Sequence, residues 1–109
     1  METKNDRFLG MLGLAMRAGR VIVGTEQICQ ALPKKGRVRL VLISEDASDN
    51  TKKKLTTKCE FYGVASMIVR LDTEELGRLL GKTYTPAGAA VTDENFAKEL
   101  TRLAAGENK

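Results

Sequence analysis

The chain has 109 residues, 42% apolar and 29% charged, with a formal net charge of +4 and no histidine. That is the size of one domain with one core, in an ordinary globular composition, so wholesale disorder and a second domain of comparable size are excluded. Without histidine there is no Ser-His or Cys-His catalysis, and Cys29 and Cys59 lack the paired spacing of zinc or thioredoxin-like sites, so neither a metal nor a cofactor is expected. No apolar run reaches membrane-span length and residues 1–6 lack the apolar stretch of a secretory signal. The expectation is a cytoplasmic protein with no membrane partner and no small-molecule substrate, folded as a single domain over residues 1–109 and ordered over about 6–105.

In chain order, Phe8, Leu12, Ala15 and Met16 recur at helical spacing and predict a helix from about Asp6 to Arg17, stopped by Gly19. Val21-Ile22-Val23 is a short β-branched strand. Gly24-Thr25 follows as a turn, with the Thr25 hydroxyl expected to cap a second helix that runs to Leu32 and ends at Pro33. After the basic loop Pro33-Lys34-Lys35-Gly36-Arg37, Leu40 to Ile43 reads as a strand buried on both faces.

Ser48 is the expected cap of a third helix that reaches Tyr62, with Leu55, Cys59 and Tyr62 inward and Gly63 closing it. Ala65 to Val69 is the next strand. Asp72-Thr73-Glu74-Glu75 resembles a capping box ahead of a helix that ends at Gly81. Lys82 to Pro86 form a loop, Gly88 to Val91 a small-residue strand, and Thr92-Asp93 start a last helix with Phe96, Leu100 and Leu103 inward. Strands alternating with helices predict an α/β fold: a three-layer α-β-α sandwich around a four-stranded, mostly parallel or mixed sheet.

Charge is unevenly spread. Residues 1–58 carry 12 Lys/Arg against 6 Asp/Glu, whereas residues 59–109 carry 6 against 8. A basic half points to a polyanionic partner, because phosphate contacts release condensed counterions. Gly19 to Gly24 has the spacing of a phosphate-binding loop, but Thr25-Glu26 follows where Lys and Ser/Thr are needed, and a carboxylate there repels a triphosphate. Glu45 and Asp46 leave a buried strand, yet with no histidine they lack an acid–base partner and read as turn formers. Lys52-Lys53-Lys54 with Lys58 forms a basic helical face, and the 5 aromatic residues offer little sign of a stacking platform.

A helix start preceded by glycine offers unpaired N–H donors and no Cβ to obstruct a phosphate. Glu26, Gln27 and Gln30 can present acceptors and amides to base edges there, with Arg17 and Arg20 just before the turn. The competing reading is an ordinary capped helix start.

These residues resemble the kink-turn RNA-binding superfamily of ribosomal proteins, the L-seven-Ae type, and its small bacterial YlxQ-like branch. The resemblance covers nearly the whole chain and rests on GLAMRAGRVIVGTEQ at residues 13–27, RLVLISEDAS at 39–48 with the TKKKLTTKC helix, and ELGRLLGK at 75–82. It implies an α-β-α sandwich that grips a sharply bent RNA containing tandem sheared G·A pairs. The family motif, roughly Gly-x-Asn-Glu-x-x-Lys, falls on Gly24 to Gln30, and a second contact loop falls on Lys82, Thr83 and Tyr84. Glu26 stands where asparagine is common, Gln27 where glutamate is common, and Gln30 where lysine is common. Thr83-Tyr84 is also more polar than the family's loop.

The expected function is non-catalytic binding of kink-turn-like structured RNA, ribosomal or translation-related, with relaxed or altered specificity. Gly24 would admit the RNA backbone, Thr25 would contact a phosphate, Glu26, Gln27 and Gln30 would touch the G·A region, and Arg17, Arg20 and Lys82 would supply phosphate contacts. The alternative is a protein-interaction module, associated with the ribosome, ribosomal proteins or a translation factor, that has lost kink-turn specificity. An enzyme built on Glu45 and Asp46 is the third and weakest reading.

Overall fold

The computed structural model describes residues 4–70, 77–78, 81 and 86–105. Their elements are α1 (Lys4–Arg17), β1 (Val21–Val23), α2 (Thr25–Ala31), β2 (Leu40–Ser44), α3 (Asp49–Tyr62), β3 (Ala65–Val69), β4 (Gly88–Val91) and α4 (Glu94–Ala104). Of the helix expected before Gly81, Gly77 and Arg78 are described and are helical, while the proposed capping box lies outside the described residues.

The four strands form one mixed sheet in the order β1-β4-β2-β3. β4 pairs antiparallel with both β1 and β2, and β2 pairs parallel with β3. It follows that β1, β2 and β3 all point the same way and β4 runs against them. One end of the sheet therefore gathers the exits of β1, β2 and β3 with the entry of β4. The other gathers the entries of β1, β2 and β3 with the exit of β4.

Strand alternation divides the core into two layers. Leu40 and Leu42 of β2 join Ala89 and Val91 of β4 under α1 and α4, with Phe8, Leu12, Leu100 and Leu103 packed on them. Val41 and Ile43 face the opposite way with Ala90, under α2 and α3, where Ile28, Leu55 and Cys59 cover them. All five residues of β2 are buried, as a strand covered on both faces requires.

Three local details differ from the sequence reading or refine it. Gly24, not Thr25, occupies the N-cap of α2, and no side chain caps that end. The Thr25 hydroxyl is thus not the cap: its residue is already the first helical one, one position too late to accept from the first turn. Tyr62 is 38% exposed rather than part of the inward stripe, because it lies in the last turn of α3, just before Gly63 turns the chain with φ 70°.

Candidate nucleic-acid interface

Gly24 has φ 105° and ψ 141°, a backbone conformation open to glycine and strained for residues with a Cβ. It is buried between β1 and α2, donates its N–H to the Gly88 carbonyl at 3.3 Å, and accepts at its own carbonyl from Ile28 N–H at 3.0 Å. Because a helix leaves its first N–H groups without intrahelical acceptors, the backbone of Thr25, Glu26 and Gln27 presents donors at this end. Glu26, Gln27 and Gln30 are exposed and Thr25 is half-buried. Ile28, one turn in, is fully buried and pins the helix to the sheet, so the polar residues beside it are held outward.

Gly88 completes this corner. A Cβ there would meet the Leu42 carbonyl oxygen at 2.7 Å, with Leu55 and Ile28 side chains next nearest, so the absence of a side chain lets β4 lie against β2 beneath α2. Pro86 and Ala87 lead into Gly88, so the segment that follows Lys82, Thr83 and Tyr84 arrives beside Gly24. Those three residues themselves lie outside the described set.

The β2 exit sits at the same end. Ser44 is buried, donates from its hydroxyl to Asp46 Oδ1 at 2.6 Å, and uses its N–H on the Ala87 carbonyl at 2.8 Å. Glu45 N–H reaches the Val69 carbonyl at 2.9 Å. Glu45 and Asp46 are both exposed, and the contacts of this turn are structural. No group of three or more His, Cys, Asp or Glu able to hold a metal occurs among the described residues. The exposed charged side chains described at this end include Glu26, Glu45, Asp46 and Asp49 as well as Arg70 and Lys53, so acidic groups are mixed with basic ones there.

Arg17 and Arg20 lie elsewhere. Both precede β1, whose three residues carry the chain from one end of the sheet to the other. Four residues of extended chain put roughly 13 Å between Arg20 and Gly24. The structure thus brings Gly24 to Gln30 together with Ala87 and Gly88, and leaves the two arginines at the opposite end.

Cys29 and Cys59 are both free thiols. Burial pushes Cys59 up to about 11, the neighbouring Cys29 adds to the rise, and a hydrogen bond with Ser66 opposes it. Such a thiol is a core residue, not a nucleophile.

A family model described as ribosomal protein L7Ae/L30e/S12e/Gadd45 matches residues 6–101. The RNA-binding protein YlxQ of Bacillus subtilis (strain 168) is 42% identical over 93 residues, covering 85% of this chain and 90% of that protein. The large ribosomal subunit protein eL30 of Sulfolobus acidocaldarius is 30% identical over 96 residues, covering 88% of this chain and 91% of its own. Among solved structures, a protein of unknown function from Bacillus halodurans superposes with a TM-score of 0.81 at 38% identity, covering 90% of this chain and 96% of the other. The Giardia lamblia 15.5kD RNA binding protein shares the fold, with a TM-score of 0.74 at 17% identity over 97% of this chain and 88% of its own.

Proposed function

The chain belongs to the ribosomal protein L7Ae/L30e/S12e/Gadd45 family, and on that premise we propose that it is a non-catalytic RNA-binding protein that recognises kink-turn-like structured RNA through the α2 edge. The observation that carries this reading is the uncapped start of α2 at Gly24. There a glycine-only backbone geometry and first-turn N–H donors lie next to the exposed side chains of Glu26, Gln27 and Gln30. The names of the relatives support the coarser part: two are an RNA-binding protein and a large-subunit ribosomal protein.

In this reading Gly24 lets the RNA backbone approach, Thr25 contacts a phosphate through its N–H and hydroxyl, and Gln27 accepts from a guanine amino group while donating to a neighbouring edge. Glu26 and Gln30 lie beside it, and Lys82, Thr83 and Tyr84 form the second contact. The protein works in the cytoplasm, on ribosomal or other translation-related RNA. Because Glu26, Glu45, Asp46 and Asp49 are at this end, recognition here depends on shape and polar contacts more than on attraction to phosphate charge.

The test is an equilibrium titration against three RNAs: a kink-turn, the same RNA with its G·A pairs replaced by Watson–Crick pairs, and a plain duplex, each at two salt concentrations. The kink-turn should bind tightest at both. Equal binding to all three contradicts the proposal and leaves a protein-interaction module as the better reading of the α2 edge.

A further inference from the structure

A cluster of positive charge, Arg17, Arg20, Lys34, Lys35, Arg37 and Arg39, lies at the end of the sheet opposite the α2 edge. Three hydrogen bonds define that end. Arg20 accepts at its carbonyl from Thr92 N–H at 2.9 Å, Arg39 donates its N–H to the Val91 carbonyl at 2.8 Å, and Arg20 N–H reaches back to the Ala15 carbonyl of α1 at 2.9 Å. Arg20 and Arg39 therefore flank the exit of β4, with Arg17 close by at the end of α1. The loop of Lys34, Lys35, Gly36 and Arg37 enters β2 at this same end, and all of these cations are exposed.

Among the described residues Arg17, Arg20, Lys34, Lys35 and Arg37 form no ion pair, and only Arg39 reaches a carboxylate, Glu94 at 4.0 Å. Glu94 is shared with Lys98 at 3.3 Å, and Asp93 is committed to capping α4.

An aromatic pair stands at the same end. α3 runs down from the β2 exit and finishes at Phe61 and Tyr62, whose rings meet edge to face with centroids 4.8 Å apart. Phe61 is 79% exposed, the most exposed large apolar side chain described. Leu32 and Val38, which bracket the lysine loop, pack in the same buried layer as Cys59 and Val64, which bracket the aromatic pair. The loop and the pair therefore rise from one patch of core.

We propose that this end is a second RNA surface that takes a single-stranded segment, with Lys34, Lys35, Arg37 and Arg20 on successive phosphates and Phe61 stacked on a base. Unpaired cations from separate segments beside an exposed ring are what sequence-tolerant single-strand binding uses. Arginine forks fit phosphate oxygens two at a time, and the ring offers a face to any base. An acidic protein segment is the less suitable occupant, because protein interfaces surround charge with an apolar centre and this end offers one exposed pair of rings. The surface does not depend on how the α2 edge reads RNA.

The probe is a fluorescent, unstructured oligouridylate of about 12 nucleotides, within the usual span of a single-strand site. It contains no G·A pairs, so a failure of kink-turn recognition leaves its result intact. The full-length protein, a Lys34→Glu/Lys35→Glu/Arg37→Glu variant, Phe61→Ala and Arg70→Glu are titrated by anisotropy over a salt series, each first shown to be folded by circular dichroism. The triple variant should bind at least about tenfold more weakly, and its log affinity should fall less steeply with log salt by about 2, the slope of three lost phosphate contacts on a single strand. Phe61→Ala should also lose about tenfold, with the salt slope unchanged. Arg70→Glu, a charge reversal at the opposite end of the sheet, should bind like the parent. Parental affinity in the triple variant or in Phe61→Ala overturns the proposal. So does a comparable loss in Arg70→Glu, or polyglutamate of equal charge competing as well as unlabelled oligouridylate.

Discussion

Gly24 and Gly88 meet across the seam between β1 and β4, the N–H of the first on the carbonyl of the second at 3.3 Å. Each lacks a side chain for a different reason. Gly24 holds φ 105°, whereas Gly88 leaves room for the Leu42 carbonyl. The start of α2 is positioned by this pair.

Gly24→Ala should therefore destabilise the fold by about 1–3 kcal/mol through backbone strain. It should also weaken RNA binding at the α2 edge by more than the stability loss explains, because relieving the strain at φ 105° shifts the first turn of α2 and its N–H donors. Urea denaturation gives the first quantity, and titration under conditions where the variant is fully folded gives the second.

Gly88→Ala is expected to cost about 1–3 kcal/mol by overpacking, since a Cβ 2.7 Å from a backbone oxygen forces β4 away from β2. Gly10 is the contrast. It lies inside α1, and a methyl added there would meet nothing within 4 Å, so Gly10→Ala should stabilise by about 0.5–1 kcal/mol. Opposite signs of the change in Tm for these two substitutions are the expected result.

Asp93 accepts from Asn95 N–H at 2.8 Å and Phe96 N–H at 3.1 Å, so it serves two of the donors at the start of α4. Asp93→Ala should lower stability by about 1–2 kcal/mol, while Asp93→Asn should retain most of it. Thermal melts of the two variants side by side separate the hydrogen-bonding role from that of charge.

The caps and core of this fold are legible in the sequence because their causes are local. Asp93 and Ser48 announce their helices, Leu40 to Ile43 reads as a doubly covered strand, and Phe8, Leu12 and Ala15 mark the buried stripe of α1. The start of α2 is less legible. Thr25 has the chemistry of a cap, yet the φ 105° of Gly24 shifts the helix start by one residue. Pairing is the larger gap. Nothing in the spacing of Gly88 to Val91 says that this strand inserts between β1 and β2 and runs against both, and that insertion brings Arg20 beside Thr92 and Arg39 beside Val91. Arg17 and Arg20 look adjacent to Gly24 along the chain, but even a three-residue strand is long enough to carry them to the other end of the sheet.

The Cys59 thiol yields a prediction in pH. Its value rises from 9.0 to about 11 on folding, so between those limits the unfolded chain releases a proton that the folded chain keeps. The unfolded state then binds fewer protons and stability falls with rising pH. The contribution should be present in full below about pH 9 and lost progressively towards pH 11. Iodoacetamide at pH 8 should label Cys59 only after unfolding, and mass spectrometry of the labelled peptide, alongside urea midpoints across this pH range, provides the check.

Gln27 offers the most direct measurement, because it stands at the centre of the exposed turn and its side chain has no structural partner among the described residues. Affinities of the parent and Gln27→Ala for a kink-turn RNA and for a plain duplex should be compared in the same buffer. The substitution should weaken kink-turn binding by about 1–2 kcal/mol, roughly five- to thirtyfold in Kd, and leave duplex binding unchanged. Equal affinity of parent and variant for the kink-turn would contradict RNA recognition by the α2 edge.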